Sequence, residues 1–297
     1  MDMLENDAQL STPVFHPTRY KAAQREQWNK VAAGWRRWWR LFEQGAQPLS
    51  QRLVELANLQ PGQKVLDVAT GVGEPTLTAV HRVGPSGHVT AIDQSAQMLA
   101  IAQERAADQG LSQVEFLEMD AEALELPNGS FDAILSRWGL MFLPHLDEAL
   151  NKMYHLLLPG GRLATAVWDV PPKVPMLSLA MRVARQHLQL PPPPAGAPNP
   201  FNLADVAAFE QRLLKAGFVD VQIERLTLTW EFASAEEFIS MTRELAAPIT
   251  ALLASHPAER QAAVWTAIGE AVTQYQGTNG RIVLPSTAIC VVASRQL

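Results

Sequence analysis

A glycine-rich turn directly after a short apolar segment is the feature that most constrains this chain. Residues 64–69 are typical of a buried strand, Gly71 and Gly73 form a turn, and Pro75 suits the first turn of a helix. Glycine there lets the backbone approach a ligand closely at the N-terminus of that helix. A tight structural turn explains a lone Gly-x-Gly almost as well, so the neighbouring sequence has to decide.

Strands and helices alternate after this turn. Further strands are predicted at 88–92, 114–117, 131–136 and 162–168, with helices at 97–107 and 147–158 between them. Ser95 is placed to cap the first of these helices. Because this alternation is typical of βαβ units, we expect an α/β, doubly wound, mostly parallel sheet with helices on both faces.

Helical segments flank the alternating region. The chain up to about residue 17 resembles a loose tail, and two helices are predicted at 19–42, with a break near Gly34, and at 47–59. After Trp168, helices are predicted at 176–188, 203–216, 235–245, 248–255 and 258–275, with a strand at 220–230 and a strand or hairpin at 282–294. The proline run 191–194 is interpreted as a stiff connector.

Composition and charge exclude several classes of function. The net charge of −6 argues against a general nucleic-acid binder. Cys290 is the only cysteine, so no intramolecular disulfide is expected, and a reducing cytoplasm is the natural compartment. No stretch reaches the roughly 20 apolar residues that span a bilayer. The seven histidines are scattered, and no metal site is predicted.

Two acidic positions strengthen the ligand-site interpretation of the glycine turn. Asp93 ends the second strand, 22 residues after Gly71 (93 − 71), where a carboxylate can accept hydrogen bonds from both hydroxyls of a ribose. The alternative is that Asp93 caps the helix that begins near Ser95. The pair Asp120-Ala121 follows the third strand.

Together these motifs resemble the class I S-adenosylmethionine-dependent methyltransferases, nearest the branch with the ubiquinone and menaquinone biosynthesis C-methyltransferases. The resemblance covers residues 28–168 well and the remainder loosely, and it rests on segment 65–75, Asp93, Asp120-Ala121 and the Leu-Pro-Gly-Gly-Arg run at 158–162. It implies a Rossmann-like, seven-stranded, mostly parallel sheet. It also implies S-adenosylmethionine as cofactor and S-adenosylhomocysteine as product.

The resemblance further implies individual roles. Asp67 orients the glycine loop and helps to hold the methionine ammonium, while Asp93 takes the ribose hydroxyls. Gln94 and Met98 flank the adenine, Asp120-Ala121 meets its amino edge, and Ser136 begins a loop that contacts the methionine. The whole implied cofactor set is Asp67, Ala69, Thr70, Gly71, Gly73, Asp93, Gln94, Met98, Asp120, Ala121 and Ser136.

Two departures from known patterns bear on this interpretation. The family usually carries glycine where Ala69 stands, and one added methyl should be tolerated. The rival class is a nicotinamide-dependent oxidoreductase. Its dinucleotide-binding fingerprint has a third glycine at the position of Thr76, and it does not require the Asp120-Ala121 pair.

Methyl transfer from a sulfonium is an in-line displacement, and a general base is needed only when the acceptor is a poor nucleophile. His145 and Arg137 are the weak catalytic candidates, although His145 lies where a helix starts and also suits a cap-region surface loop. Trp138 and Met141 are placed either to line a pocket or to pack beneath the cap. The predicted substrate pocket is Trp35, Trp138, Met141, Met181 and Phe238.

Tryptophans crowd the basic segment 16–42, at positions 28, 35, 38 and 39. A lid over the cofactor, core packing and a membrane-surface helix are the three interpretations, and lid or packing is favoured. The expected organisation is tail and lid helices 1–45, cofactor-binding core 46–170, cap helix and connector 171–200, core helix and strand 201–234, helical cap 235–278 and final strand 279–297.

The predicted function is transfer of a methyl group to carbon or oxygen of a small, largely apolar or aromatic metabolite. The alternative is a non-catalytic S-adenosylmethionine-binding regulatory or assembly protein. The expected partner is a small-molecule acceptor, without nucleic acid or stable membrane insertion. The sequence allows a homodimer but does not decide the oligomeric state.

Overall fold

The computed structural model describes residues 15–190 and 198–297. Nearly all of the predicted N-terminal tail, and the proline run 191–194, lie outside the described residues.

A seven-stranded sheet forms the centre of the protein, with strand order β3-β2-β1-β4-β5-β7-β6. The first five strands pair in parallel, and β7 runs antiparallel to both β5 and β6. The strands are β1 (Lys64–Val68), β2 (His88–Asp93), β3 (Val114–Glu118), β4 (Phe131–Arg137), β5 (Leu157–Trp168), β6 (Val219–Phe232) and β7 (Ile282–Ser294). The predicted doubly wound, mostly parallel sheet is confirmed.

Nine α-helices are present in the described part of the chain. They are α1 (Pro17–Leu56), α2 (Thr76–Val83), α3 (Ala96–Asp108), α4 (Leu146–Leu156), α5 (Pro175–Leu188), α6 (Val206–Lys215), α7 (Ala235–Leu245), α8 (Ala247–Ala254) and α9 (Ala258–Val272). Ser95 caps α3 as predicted, because its hydroxyl accepts a hydrogen bond from the Met98 amide at 3.2 Å. Across residues 15–190 and 198–297, no helix has the length and apolar character needed to cross a membrane.

The N-terminal helices differ from the prediction. The expected helices 19–42 and 47–59 are one continuous 40-residue helix, α1, which passes through Pro48. A Cβ on Gly34 would lie 2.7 Å from the Glu244 carbonyl oxygen, and one on Gly45 would lie 2.7 Å from the Trp230 ring. These glycines therefore allow close packing of the helix and do not break it. The expected domain boundary at residue 45 falls inside α1.

The start of β5 also differs. The strand predicted at 162–168 begins earlier, at Leu157, and the helix predicted at 147–158 ends at Leu156. The pairing with β4 jumps here, since Phe131 pairs with Leu157 and Ala133 pairs with Arg162. Gly160 and Gly161 lie within this irregularity, and regular parallel pairing begins after it.

Strand order sets the position of the site. The chain moves from β1 outward to β2 and β3, and then returns to place β4 on the other side of β1. Loops after β1 and β4 therefore leave in opposite directions and open a crevice at the carboxyl ends of these strands. Helices α1, α5, α7 and α8 pack above this edge.

Candidate functional site

A cavity of about 290 Å³ occupies this crevice. Its floor is formed by the loops after β1, β2, β3 and β4 and by the end of β5. Residues of α1, α5, α7 and α8 form its other walls. The cavity thus lies between the sheet edge and the helices that flank it in sequence.

The glycine loop after β1 forms part of the floor. Ala69, Gly71 and Gly73 have φ values of 61°, 57° and 105°, a region in which glycine is the most comfortable residue. A Cβ on Gly73 would lie 3.2 Å from the Ala102 Cβ, so Gly73 allows close packing on α3. A Cβ on Gly71 would meet nothing within 4 Å. Gly71 therefore presents bare backbone to open space at the cavity.

Asp93, at the end of β2, also lines the cavity. One carboxylate oxygen accepts a hydrogen bond from the Gly71 amide at 2.9 Å, and the other accepts one from the Ser95 amide at 2.9 Å. Burial raises the pKa of this carboxyl group, and these amide hydrogen bonds oppose the rise. Asp93 thus joins the glycine loop to the start of α3, whose side-chain cap is Ser95.

Asp67 lies beneath the glycine loop, is fully buried and is not among the cavity-lining residues. Its Oδ2 accepts hydrogen bonds from the Thr76 hydroxyl at 2.6 Å and the Thr76 amide at 3.1 Å. Its Oδ1 has no hydrogen-bond partner among the described residues. Burial raises the pKa of Asp67 to about 6. This geometry ties β1 to the start of α2.

The structure places some of the predicted cofactor residues on the cavity wall and others away from it. Those that line the cavity are Ala69, Thr70, Gly71, Asp93, Gln94, Met98, Asp120 and Ala121. Asp67, Gly73 and Ser136 do not line it. The Ser136 hydroxyl donates to the Val68 carbonyl at 2.9 Å and so joins β4 to β1. These three residues shape the loops around the cavity.

Sequence reasoning missed the contribution of the first turns of α1. Tyr20, Lys21 and Gln24 line the cavity, and the Lys21 ammonium forms ion pairs with Asp120 and Glu122. Further basic residues of α1 also pair with acidic residues elsewhere, in the pairs Arg25–Glu118, Arg36–Glu104 and Arg37–Glu244. The basic character of this segment was the available signal. Its partners are acidic side chains of the core and cap.

Arg137 is held in a buried ion pair. Its guanidinium donates to Glu43 at 2.5 and 2.8 Å and to the Ser50 hydroxyl at 2.9 Å. Burial opposes the charge on Arg137, but the Glu43 carboxylate overcomes this and holds its pKa above the ordinary value. Although Arg137 lines the cavity, it is a poor proton donor in this arrangement. Its evident role is to join β4 to α1.

His145, the other catalytic candidate, is exposed and does not line the cavity. Its backbone amide donates to the Glu122 carboxylate at 2.5 Å, at the start of α4. The structure therefore puts His145 in the helix-start loop that was the alternative interpretation.

Aromatic side chains line the end of the cavity near β4 and β5. The Trp138 and Trp168 rings stack with centroids 4.2 Å apart, and Phe42 meets both Trp35 and Trp138 edge-on, at 4.9 and 5.7 Å. Trp138 has a φ of 61°, a conformation that costs a bulky residue about 1 kcal/mol and often marks a functional site. Flat ring surfaces thus form one wall.

The predicted pocket residues also fall into two groups, those that line the cavity and those that do not. Trp35, Trp138 and Met141 line the cavity, whereas Met181 and Phe238 do not. Helix α5 instead presents Met176, Leu177 and Ala180. Phe238 is fully buried against Phe232, with ring centroids 5.3 Å apart. The apolar pattern identified the right helices, but their rotation selects which residues face the cavity.

Comparison with known proteins agrees with this geometry. Residues 45–188 match the model of the ubiE/COQ5 methyltransferase family. Over 111 residues the chain is 45% identical to ubiquinone/menaquinone biosynthesis C-methyltransferase UbiE of Methylococcus capsulatus. The aligned segment covers 37% of this chain and 45% of that protein. The chain spans about half the length of the curated relatives it matches.

Solved structures extend the likeness in fold. The YcgJ protein of Bacillus subtilis aligns with a TM-score of 0.56 and 18% identity, over 84% of this chain and 98% of that chain. The [4+2]-cyclase SpnF aligns with a TM-score of 0.51 and 22% identity, over 85% and 81%. Residues 45–188 are thus similar to the ubiE/COQ5 methyltransferase family, and the likeness to the solved structures is one of fold.

Proposed function

We propose that this protein transfers the methyl group of S-adenosylmethionine to a carbon or oxygen atom of a small, largely apolar or aromatic acceptor, releasing S-adenosylhomocysteine. The observation that carries the proposal is the two-ended cavity. Asp93 and Asp120 lie at one end, and the ring surfaces of Trp138 and Trp168 lie at the other. One enclosed space thus offers a polar region for the cofactor and an apolar region for an acceptor.

The residues at the polar end fit the cofactor. Gly71 leaves open space for a ligand to lie against the backbone. Each Asp93 carboxylate oxygen accepts one amide hydrogen bond and keeps capacity for a ribose hydroxyl. Gln94 and Met98 stand beside this carboxylate in the cavity wall, where they would flank the adenine. Asp120, at the end beyond β3, would accept its amino group.

When bound, the cofactor supplies a methyl group activated by the adjacent sulfonium. The protein's part is to orient and to exclude water, because an in-line displacement depends on alignment. Helix α1 closes one side of the cavity with Tyr20, Lys21 and Gln24, and Trp35 and Trp138 limit where an acceptor ring can lie. No proton transfer is assigned, since the Arg137 guanidinium is engaged by Glu43 and His145 lies outside the cavity wall.

The cavity volume of about 290 Å³ supports a small-molecule acceptor, and the net charge of −6 disfavours nucleic acid. A reducing compartment such as the cytoplasm suits a chain whose single cysteine, Cys290, is buried and free. The oligomeric state, monomer or homodimer, is measurable by light scattering.

The test is to incubate the protein with S-adenosylmethionine labelled in its methyl group and a metabolite extract, and to follow label into organic-soluble products. We expect labelled product with the native protein and much less with Asp93→Ala at the same cofactor concentration. Binding of S-adenosylhomocysteine without transfer to any fraction would favour the non-catalytic alternative. Absence of binding would remove both functions.

A further inference from the structure

The described cap residues that line the cavity include a single side-chain hydroxyl. The described lining residues that follow Trp168 in sequence are Met176, Leu177, Ala180, Pro200, Met241, Thr242, Leu245, Ala246 and Ile249. Among them, Thr242 alone has a polar side chain. Because the surrounding wall is hydrocarbon and thioether, one hydroxyl there has a large effect on which ligands fit.

The Thr242 hydroxyl is available for a ligand. Thr242 is 8% exposed, and within the described residues its hydroxyl has no hydrogen-bond partner. Some side-chain polar atoms of the described residues are completely buried and have no hydrogen-bond partner, among them the indole nitrogens of Trp35 and Trp138. The Thr242 hydroxyl is not one of these completely buried atoms. Thr242 lines the cavity and its hydroxyl is not fully enclosed by protein atoms, whereas the two indole nitrogens are. A buried hydroxyl that a ligand does not satisfy is costly.

Helix α7 packs against the part of α1 that carries Trp35. Gly34 of α1 lies so close to α7 that a Cβ there would be 2.7 Å from the Glu244 carbonyl oxygen. Trp35 follows Gly34 directly, and its ring contacts Phe42, which in turn contacts Trp138. On α7, Met241, Thr242 and Leu245 lie on one face of the helix and line the same cavity as Trp35 and Trp138.

Charge argues for a neutral ligand at the cap side of the cavity. Of the cations that line the described cavity wall, Lys21 is paired with Asp120 and Glu122, and Arg137 is paired with Glu43. Neither is free to neutralise a carboxylate or phosphate on the acceptor. A neutral oxygen substituent, by contrast, is served by a hydroxyl.

From these observations we propose that Thr242 is a specificity-determining residue, whose hydroxyl hydrogen-bonds a neutral oxygen substituent on an otherwise apolar ring acceptor. The inference rests on the proposed function and names the acceptor class for the same site. Such a group rejects ligands that lack the oxygen, because the hydroxyl would then be buried without a partner.

The experiment uses two ring compounds of the same shape, 1-tetralone, which carries a carbonyl, and tetralin, which does not. Their affinities for the full chain are measured by equilibrium dialysis in the presence of S-adenosylhomocysteine. We expect Thr242→Val, which is isosteric, to weaken tetralone binding about five- to tenfold and to change tetralin binding less than twofold. Thr242→Ser should restore the tetralone affinity. Thr266→Val, on exposed helix surface, is the matched control and should change neither.

Equal losses for the two compounds in Thr242→Val would show a purely structural role and overturn the proposal. It is also overturned if the native protein binds neither compound, or if the variant keeps full preference for tetralone. These outcomes are independent of methyl transfer. A protein that methylates but shows no Thr242-dependent preference refutes this inference alone, and one with the preference but no transfer refutes the proposed function alone.

Discussion

The Asp93 carboxylate accepts a hydrogen bond from the Gly71 amide at 2.9 Å, and so joins the end of β2 to the loop after β1. The two residues are 22 positions apart in sequence and line the same cavity. The same carboxylate holds the Ser95 amide. One buried side chain therefore sets the relative positions of two loops that form the polar end of the site.

Replacing this carboxylate tests its role in binding. We expect Asp93→Ala to lower the affinity for S-adenosylhomocysteine about 30- to 150-fold, since charged hydrogen bonds contribute roughly 2–3 kcal/mol. Calorimetric titration measures the affinity, and circular dichroism checks the fold. Asp108→Ala, on α3 but outside the cavity lining, is the control. Native affinity in a folded Asp93→Ala protein would remove Asp93 from the binding site.

The first turns of α1 can be removed without disturbing buried packing. We expect deletion of residues 1–26 to lower the unfolding midpoint only slightly, because none of the described residues 15–26 is buried and the Arg25–Glu118 pair is exposed. The main loss is the Lys21 partner of the buried Glu122 carboxylate. It should weaken cofactor binding and slow turnover, since Tyr20, Lys21 and Gln24 leave the cavity wall. A larger deletion through Glu43 would strand Arg137 and confuse the result.

Liposome sedimentation separates the lid from the membrane-surface interpretation of α1. If the shortened protein binds cofactor and turns over at the native rate but loses affinity for anionic vesicles, the membrane interpretation is correct. If turnover falls and neither protein sediments with vesicles, the lid is supported.

Close packing of α1 against β6 predicts an unusual effect of alanine. Gly→Ala within a helix ordinarily stabilises by about 1 kcal/mol. A Cβ on Gly45 would lie 2.7 Å from the Trp230 ring and 2.8 Å from the Thr229 carbonyl oxygen, so Gly45→Ala should destabilise by about 1–3 kcal/mol. Gly269→Ala on α9 meets only the end of the Ile239 side chain, at 2.9 Å, and should be neutral or stabilising. Urea unfolding of both variants tests this, and a stable Gly45→Ala protein contradicts the packing.

Asp67 predicts a pH-dependent difference in stability. Because burial raises its pKa from 3.8 to about 6, the native state binds a proton more tightly than the unfolded state. The free energy of unfolding contributed by this group therefore falls as pH rises from about 4 to about 6, and the decrease is complete above the folded pKa. Relative to Asp67→Asn, the native protein should lose on the order of 2–3 kcal/mol between pH 4 and pH 7. Denaturant unfolding at both pH values measures the difference, and parallel pH profiles would contradict the raised pKa.

Much of the sheet could be predicted from sequence, because its signals are local. The strand from Lys64, the glycine turn at Gly71 and the Ser95 cap each depend on residues within a few positions. Asp93 could be placed at the same edge because the carboxyl ends of parallel strands meet there. These features determine the sheet, its direction and the polar end of the cavity.

Only the tertiary structure decided what covers that edge. Gly34 suggests a helix break in sequence, but α1 is continuous there and packs closely on Glu244. The partner of Arg137 is Glu43, 94 positions away, and no local pattern indicates such a pairing. On the cap, helical periodicity marks an apolar face, but the rotation of α5 and α7 selects Met176 and Thr242 for the cavity and turns Met181 and Phe238 away from it. Rotation depends on packing against distant elements, so the cap side of the cavity is a property of the folded chain.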